Sequence, residues 1–103
     1  MRSVTPQEFA ALEGAAREQA ALIDVREPHE LAEVRTEQAT PMPMSTFLDH
    51  LDEVPDGTVY VLCHSGARSA QVARFLEQQG RDAVNVDGGI VAWIEAGLPV
   101  VRG

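Results

Sequence analysis

The only cysteine of the chain, Cys63, opens the run Cys63-His64-Ser65-Gly66-Ala67-Arg68-Ser69. An apolar stretch, Thr58-Val59-Tyr60-Val61-Leu62, leads into it, and a helical pattern follows from Ser69 to Gln79. A thiol at the end of a buried strand, with a short loop opening a helix after it, sits where anions bind. N–H groups at a helix start are unpaired and carry partial positive charge. That field favours thiolate over thiol, and thiolate is the nucleophilic form. Arg68 adds a full positive charge a few residues away. The competing description, a small buried hydrophobe, fits most free cysteines. It fits poorly in a loop this polar, where Gly66 permits a turn that a Cβ would hinder. Ser69 reads as the N-cap of the helix. Residues 64 to 69 can all donate backbone N–H groups, and wrapped around the sulfur they would form an anion nest. The pattern suits a cysteine that attacks, or carries, something anionic.

The rest of the chain supplies elements to hold such a loop. Thr5-Pro6-Gln7-Glu8 reads as a capping box with proline at the first helical position, opening a helix through about Leu12. Ala21 to Val25 is a short buried strand, and Pro28 starts a helix through about Glu33. Thr40 to Met42 is a weak strand interrupted by proline. Ser45 is expected to cap a helix carrying Phe47, Leu48 and Leu51, and Pro55-Asp56-Gly57 is a turn. Thr58 to Leu62, apolar on both faces, has the mark of a central parallel strand. The helix after the cysteine loop buries Ala70, Val72, Ala73, Phe75 and Leu76 and ends at Gly80. Ala83 to Val86 is a further strand, and Ile90 to Glu95 a last helix, closed by Gly97. Strands alternating with helices imply an α/β fold with a mainly parallel sheet covered on both faces. Ligands in such sheets sit beyond the carboxyl ends of the strands. Cys63, Asp24-Val25-Arg26 and Asp87-Gly88-Gly89 all follow strand ends and are expected to share one rim.

Composition narrows the function further. The net charge is -8 and there is no lysine. This argues against nucleic acid and anionic membranes as partners. No run of 18 apolar residues suggests a membrane helix, and residues 1 to 8 lack the apolar core of a signal peptide. A lone thiol fits a reducing cytosol, so a cytoplasmic location is expected. The length of 103 residues suits one domain over residues 1–103.

Cys63-x-x-Gly66-x-Arg68-Ser69 resembles the active loop of the rhodanese family of sulfurtransferases. Leu22-Ile23-Asp24-Val25-Arg26-Glu27-Pro28-His29-Glu30 resembles the family's first signature. Pro41-Met42-Pro43-Met44-Ser45 is similar to its Asn-Ile-Pro-Leu-Ser segment, and Gly88-Gly89-Ile90-Val91-Ala92-Trp93 to its closing Gly-Gly-x-x-x-Trp. Gly97-Leu98-Pro99-Val100 resembles the family's usual ending. The features run in family order from about Val4 to Val101. One segment departs: where the family carries Gly-His-Ile-Pro-Gly-Ala, this chain has Val34-Arg35-Thr36-Glu37-Gln38-Ala39 and keeps only the alanine.

The resemblance implies a rhodanese-like fold, a five-stranded sheet between helices, with no metal or organic cofactor. It implies Cys63 as the catalytic residue, carrying a persulfide. His64, Ser65, Gly66, Ala67, Arg68 and Ser69 would surround the substrate. Sulfur would come from a small donor such as thiosulfate and go to cyanide, a thiol, or a protein acceptor. Arg68 either holds the donor's sulfonate or organises the loop. His64 reads as a residue of the pocket mouth, Ser65 as a hydrogen-bond donor, Asp24 and Arg26 as structural, and Trp93 as core. Two rivals stand beside this reading. A non-enzymatic persulfide carrier or sensor would use the same cysteine. A cysteine-dependent phosphatase or arsenate reductase would use the same cradle, but its signature loop is one residue longer than the spacing from Cys63 to Arg68.

Overall fold

A strand with apolar residues on both faces has to be covered on both faces, and Thr58–Leu62 is built that way. In the computed structural model, which describes residues 1–103, the chain runs β1 (Arg2–Val4), α1 (Pro6–Ala10), α2 (Gly14–Gln19), β2 (Ala20–Asp24), α3 (Pro28–Glu33), β3 (Val34–Arg35) and β4 (Thr40–Pro41). A 3₁₀ helix, Met44–Glu53, follows, then β5 (Thr58–Leu62), α4 (Ala67–Gln78), β6 (Asp82–Val86), α5 (Gly89–Glu95) and β7 (Val101–Arg102). Five strands form one sheet in the order β1-β6-β5-β2-β4, and every pairing in it is parallel. β5 is the middle strand, as its sequence requires. No helix is long and apolar enough to cross a membrane.

Alternation along the strands divides the core in two. Ile23, Val59, Val61 and Ala83 pack with Phe47, Val72, Ala73 and Leu76, under α4 and the 3₁₀ helix. Leu22, Tyr60, Leu62, Val84 and Val86 pack with Phe9, Ile90 and Trp93, under α1 and α5. Phe9 stands edge-on to Tyr60 at a centroid distance of 5.0 Å. Trp93 is fully buried, and its indole N–H donates to the Pro99 carbonyl at 3.1 Å. The register aligns Asp24 with Leu62 and Val61 with Asn85. The carboxyl ends of β2, β5 and β6 are therefore level, which is the shared rim the sequence implies.

Local signals explain the element ends. Thr5 accepts from the Glu8 amide at 3.1 Å and Glu8 accepts from the Thr5 amide at 2.8 Å, so the capping box is formed. Gly80, at φ +82°, closes α4, with Arg81 N–H donating back to the Leu76 carbonyl and Gly80 N–H to that of Glu77. Four short elements, β1, α2, β3 and β7, carry no periodic signal and are not anticipated by the sequence. β3 and β7 pair antiparallel, Val34 with Arg102 and Arg35 with Val101. The divergent segment 34–39 is thus held at its start by β7, and its Thr36 is buried.

The expected helix at Ser45 takes another form. It is 3₁₀, begins at Met44, and breaks at His50, where φ is −118°. Ser45 does not cap it. Its amide and hydroxyl both donate to the Glu27 carboxylate, at 3.1 and 2.6 Å. Leu48, placed with Phe47 and Leu51 by its spacing, is 69% exposed. A tighter helix puts i and i+3 in line, so the face that an α-helical period assigns to Leu48 turns outward.

Asp24 ends β2, Arg26 follows it by two residues, and each is 1% exposed. The guanidinium binds both carboxylate oxygens, with Nη2 to Oδ2 at 2.9 Å and Nε to Oδ1 at 3.1 Å, and Nη2 reaches the Val34 carbonyl at 2.9 Å. The pair ties the end of β2 to the start of β3. Arg26→Met leaves the Asp24 charge buried alone and should cost about 3–5 kcal/mol in urea denaturation. Asp24→Asn combined with Arg26→Met should recover part of that loss.

Candidate active site

Cys63 leaves β5 at the rim, and the chain then turns through His64, Ser65 and Gly66 into α4. Gly66 takes φ +107°, a conformation that favours glycine, and serves as the N-cap. The helix starts at Ala67, two residues before the position its polar pattern suggests. Ser69 is therefore not the cap but lies inside the first turn, with its side chain buried under the loop. The loop's outward carbonyls are met by α5. Ile90 N–H donates to the Cys63 carbonyl at 2.8 Å, and Val91 N–H to that of His64 at 3.2 Å. A Cβ on Gly89 would lie 2.4 Å from both carbonyl oxygens, so only glycine allows this approach.

With its carbonyls turned out, the loop turns donors inward. Gly66 N–H donates to Cys63 Sγ at 3.0 Å, and the Ser69 hydroxyl lies 3.2 Å from the same sulfur. Cys63 itself is 1% exposed. Burial pushes the thiol up, but the Ser69 hydroxyl and the amides of Ser69, Gly66 and Ser65 outweigh it and hold Cys63 below the ordinary thiol value. Of the six amides that the sequence offers for a nest, those of Ser65, Gly66 and Ser69 face the sulfur, which is buried as deeply as a core residue.

Arg68 points elsewhere. Its guanidinium forks onto the Glu30 carboxylate, Nη1 to Oε1 at 2.6 Å and Nη2 to Oε2 at 2.8 Å. That bond, opposed by partial burial, holds the Glu30 carboxyl down at about 2. Glu30 Oε1 also accepts from the Glu27 amide at 3.0 Å, which anchors the carboxylate at the start of α3. A cleft of about 400 Å³ opens above the loop. Its wall includes His29, Glu30, His64, Arg68, Ile90 and Val91. His64 and Ser65 are exposed and Ala67 opens the helix beside them. The structure thus brings Cys63, Gly66 and Ser69 together at the sulfur and sets His64 and Arg68 at the mouth. Asp24 and Arg26 pair with each other at the end of β2, and Arg26 also lines the cleft.

Two residues escape the sequence reading. Glu30 is visible only as a helix-start carboxylate, and nothing local ties it to Arg68. Asn85 lies 5% exposed beneath α4, with Oδ1 2.5 Å from Ser69 Oγ. The signal for it is a polar residue at an inward position of the apolar strand Ala83-Val84-Asn85-Val86.

The rhodanese-like domain pattern matches residues 5–96. A sulfurtransferase of Allochromatium vinosum is 43% identical over 82 residues, covering 78% of this chain and 77% of that protein. The thiosulfate sulfurtransferase GlpE of Actinobacillus pleuropneumoniae is 36% identical over 85 residues, covering 81% and 79%. Among solved structures, a rhodanese-related protein of Thermoplasma volcanium superposes with a TM-score of 0.86 at 33% identity, covering 98% of each chain.

Glu30 yields a pH test. Its carboxyl titrates at about 2 in the folded protein, against 4.5 without partners. Its contribution to stability is therefore complete above 4.5 and lost as pH falls through that interval. Glu30→Gln should flatten this part of the acid branch. Melting temperatures of both proteins across the interval check it, and parallel curves would mean the Arg68 bond contributes nothing.

Proposed function

Because the chain belongs to the rhodanese-like domain family, we propose that it moves a sulfane sulfur through a persulfide on Cys63, as a single rhodanese-like unit spanning residues 1–103. The observation that carries this reading is the enclosed sulfur, ringed by N–H and O–H donors within one short loop. In the first half-reaction the Cys63 thiolate attacks the outer sulfur of thiosulfate. The donor's S–S bond breaks and sulfite leaves with the electron pair. In the second, cyanide or a thiolate attacks the outer sulfur of the persulfide, and the electron pair of the broken S–S bond returns to Cys63. The nucleophile is regenerated, so ping-pong kinetics follow. Neither step needs an acid at the leaving group, since sulfite departs as an anion.

The loop amides hold the charge in both states of the cysteine. His64, Ser65, Gly66, Ala67 and Arg68 form the substrate-facing rim, and Ser69 serves the substrate's sulfur from beneath the loop. The fork onto Glu30 supports a loop-organising role for Arg68 over a sulfonate-binding one, because the guanidinium already has a carboxylate partner. The same short loop disfavours a tetrahedral phosphate bound to the cysteine, and aryl phosphates should not be hydrolysed.

Incubation with thiosulfate should add one sulfur atom, about 32 Da by intact mass. Cys63→Ser should abolish both the adduct and thiosulfate:cyanide turnover, and residual activity in that variant overturns the assignment. An adduct without turnover would mark a carrier module. Arg68→Ala should lower kcat/KM for thiosulfate and for an uncharged thiosulfonate ester alike, on the order of tenfold, or about 1.4 kcal/mol. A loss confined to thiosulfate would return Arg68 to the sulfonate.

A further inference from the structure

Ser69 has one hydroxyl proton and three acceptors around it. Cys63 Sγ and the Gly66 carbonyl lie at 3.2 Å, and Asn85 Oδ1 at 2.5 Å. A hydroxyl donates once, so the serine cannot serve all three. Of the three, Asn85 Oδ1 is the nearest and the sulfur is the one whose charge changes, while the Gly66 carbonyl also accepts from the Ala70 amide at 3.2 Å. The contest that matters is between the sulfur and Asn85. In the observed arrangement Asn85 Nδ2 donates to Asp87 Oδ1 at 3.3 Å, which turns Oδ1 toward Ser69. While Cys63 is a thiol, the serine proton then goes to Asn85; the donation to sulfur that helps hold the thiol value down belongs to the thiolate state. Its lone pairs face the sulfur, a setting that suits a thiol, whose S–H can donate to Oγ. A thiolate or persulfide needs the opposite: the serine proton directed at sulfur. That follows if the Asn85 carboxamide turns over, so that Nδ2 donates to Ser69 Oγ. Oδ1 then faces Asp87, an exposed residue whose carboxylate can swing into water.

We propose that Asn85 is a positioning residue whose carboxamide decides whether the Ser69 hydroxyl serves the sulfur, and that Asp87 biases that choice from the surface. The inference builds on Cys63 as nucleophile and adds a regulator of its ionisation. Ser69 and Asn85 are both buried, so no solvent proton substitutes for the choice. The other charged or titratable groups around the loop are His64 and Arg68 on its own segment, Glu30 on α3, and the Asp24–Arg26 pair at the end of β2. The start of α5 presents only Gly89, Ile90 and Val91.

The test titrates the ultraviolet absorbance of the Cys63 thiolate against pH, which needs no sulfur donor and no access of a reagent. With a single cysteine the signal has one source. Its outcome is therefore independent of whether the protein turns over thiosulfate. Asp87→Ala is made in the wild type, in Ser69→Ala and in Asn85→Ala. In the wild type it should release the carboxamide and lower the midpoint by about half a unit, roughly threefold in the ionisation constant. In either other background the shift should vanish, because the chain of contacts is cut. Equal shifts in all three would mean that Asp87 acts only by its charge through space, which overturns the proposal. An unchanged midpoint in the wild type overturns it as well. Should Asn85→Ala fail to fold, the Ser69→Ala comparison decides alone.

Discussion

A sulfur held away from water as an anion must be given donors by the protein, and the loop that supplies them has to point its amides inward. A backbone that turns its N–H groups in turns its carbonyls out. Those carbonyls are then buried acceptors in need of partners. Here the start of α5 provides them: Ile90 and Val91 donate to the carbonyls of Cys63 and His64. The unpaired amides of one helix start thus satisfy the acceptors left over by the nest at the start of another. The positive φ of Gly66 and the missing Cβ of Gly89 follow from this single requirement. So does the level rim of β2, β5 and β6, without which the two helix starts would not meet.

The two arginines near the site divide the electrostatic work. Arg26 is buried beside Asp24 and spends its remaining donors on backbone carbonyls of Val34 and Glu30. It holds the path from β2 toward β3. Arg68 lies at the mouth of the cleft and forks onto Glu30, whose position is set by the first turn of α3. A bidentate pair has fixed geometry, so this bond orients the first turn of α4 relative to α3. The cysteine's ionisation then rests on short-range donors within its own loop. This fits the depth of the sulfur: amides and a hydroxyl at about 3 Å act with little screening, whereas a guanidinium neutralised by its own carboxylate contributes little field.

Much of the scaffold was legible in the chain. The apolar run before Cys63 announced a central strand, the Thr5–Glu8 box a helix start, and Gly80 and Gly97 helix ends. Each is a local rule that the tertiary structure had no reason to override. The errors came where a local rule met a stronger partner. Ser45 had the chemistry of a cap, but the Glu27 carboxylate, 18 residues earlier, accepts both of its donors. Ser69 had the same chemistry, but the free backbone of Gly66 starts the helix earlier and carries the serine inward to the sulfur. β3 and β7 were invisible because a two-residue strand has no period; it exists only where another strand lies beside it.

By itself, the sequence determined the layered α/β plan, the rim on which the cysteine lies, and the chemistry of the loop, because periodicity, glycines and residue types are properties of neighbours along the chain. Partnership was decided by the tertiary structure alone. Glu30 claims Arg68 across 38 positions, and Asn85 claims the Ser69 hydroxyl across 16. A hydrogen-bond donor declares only that it needs an acceptor. Which acceptor it meets depends on the register of the strands and the seating of the helices upon them, and these are set by the packing of the whole core.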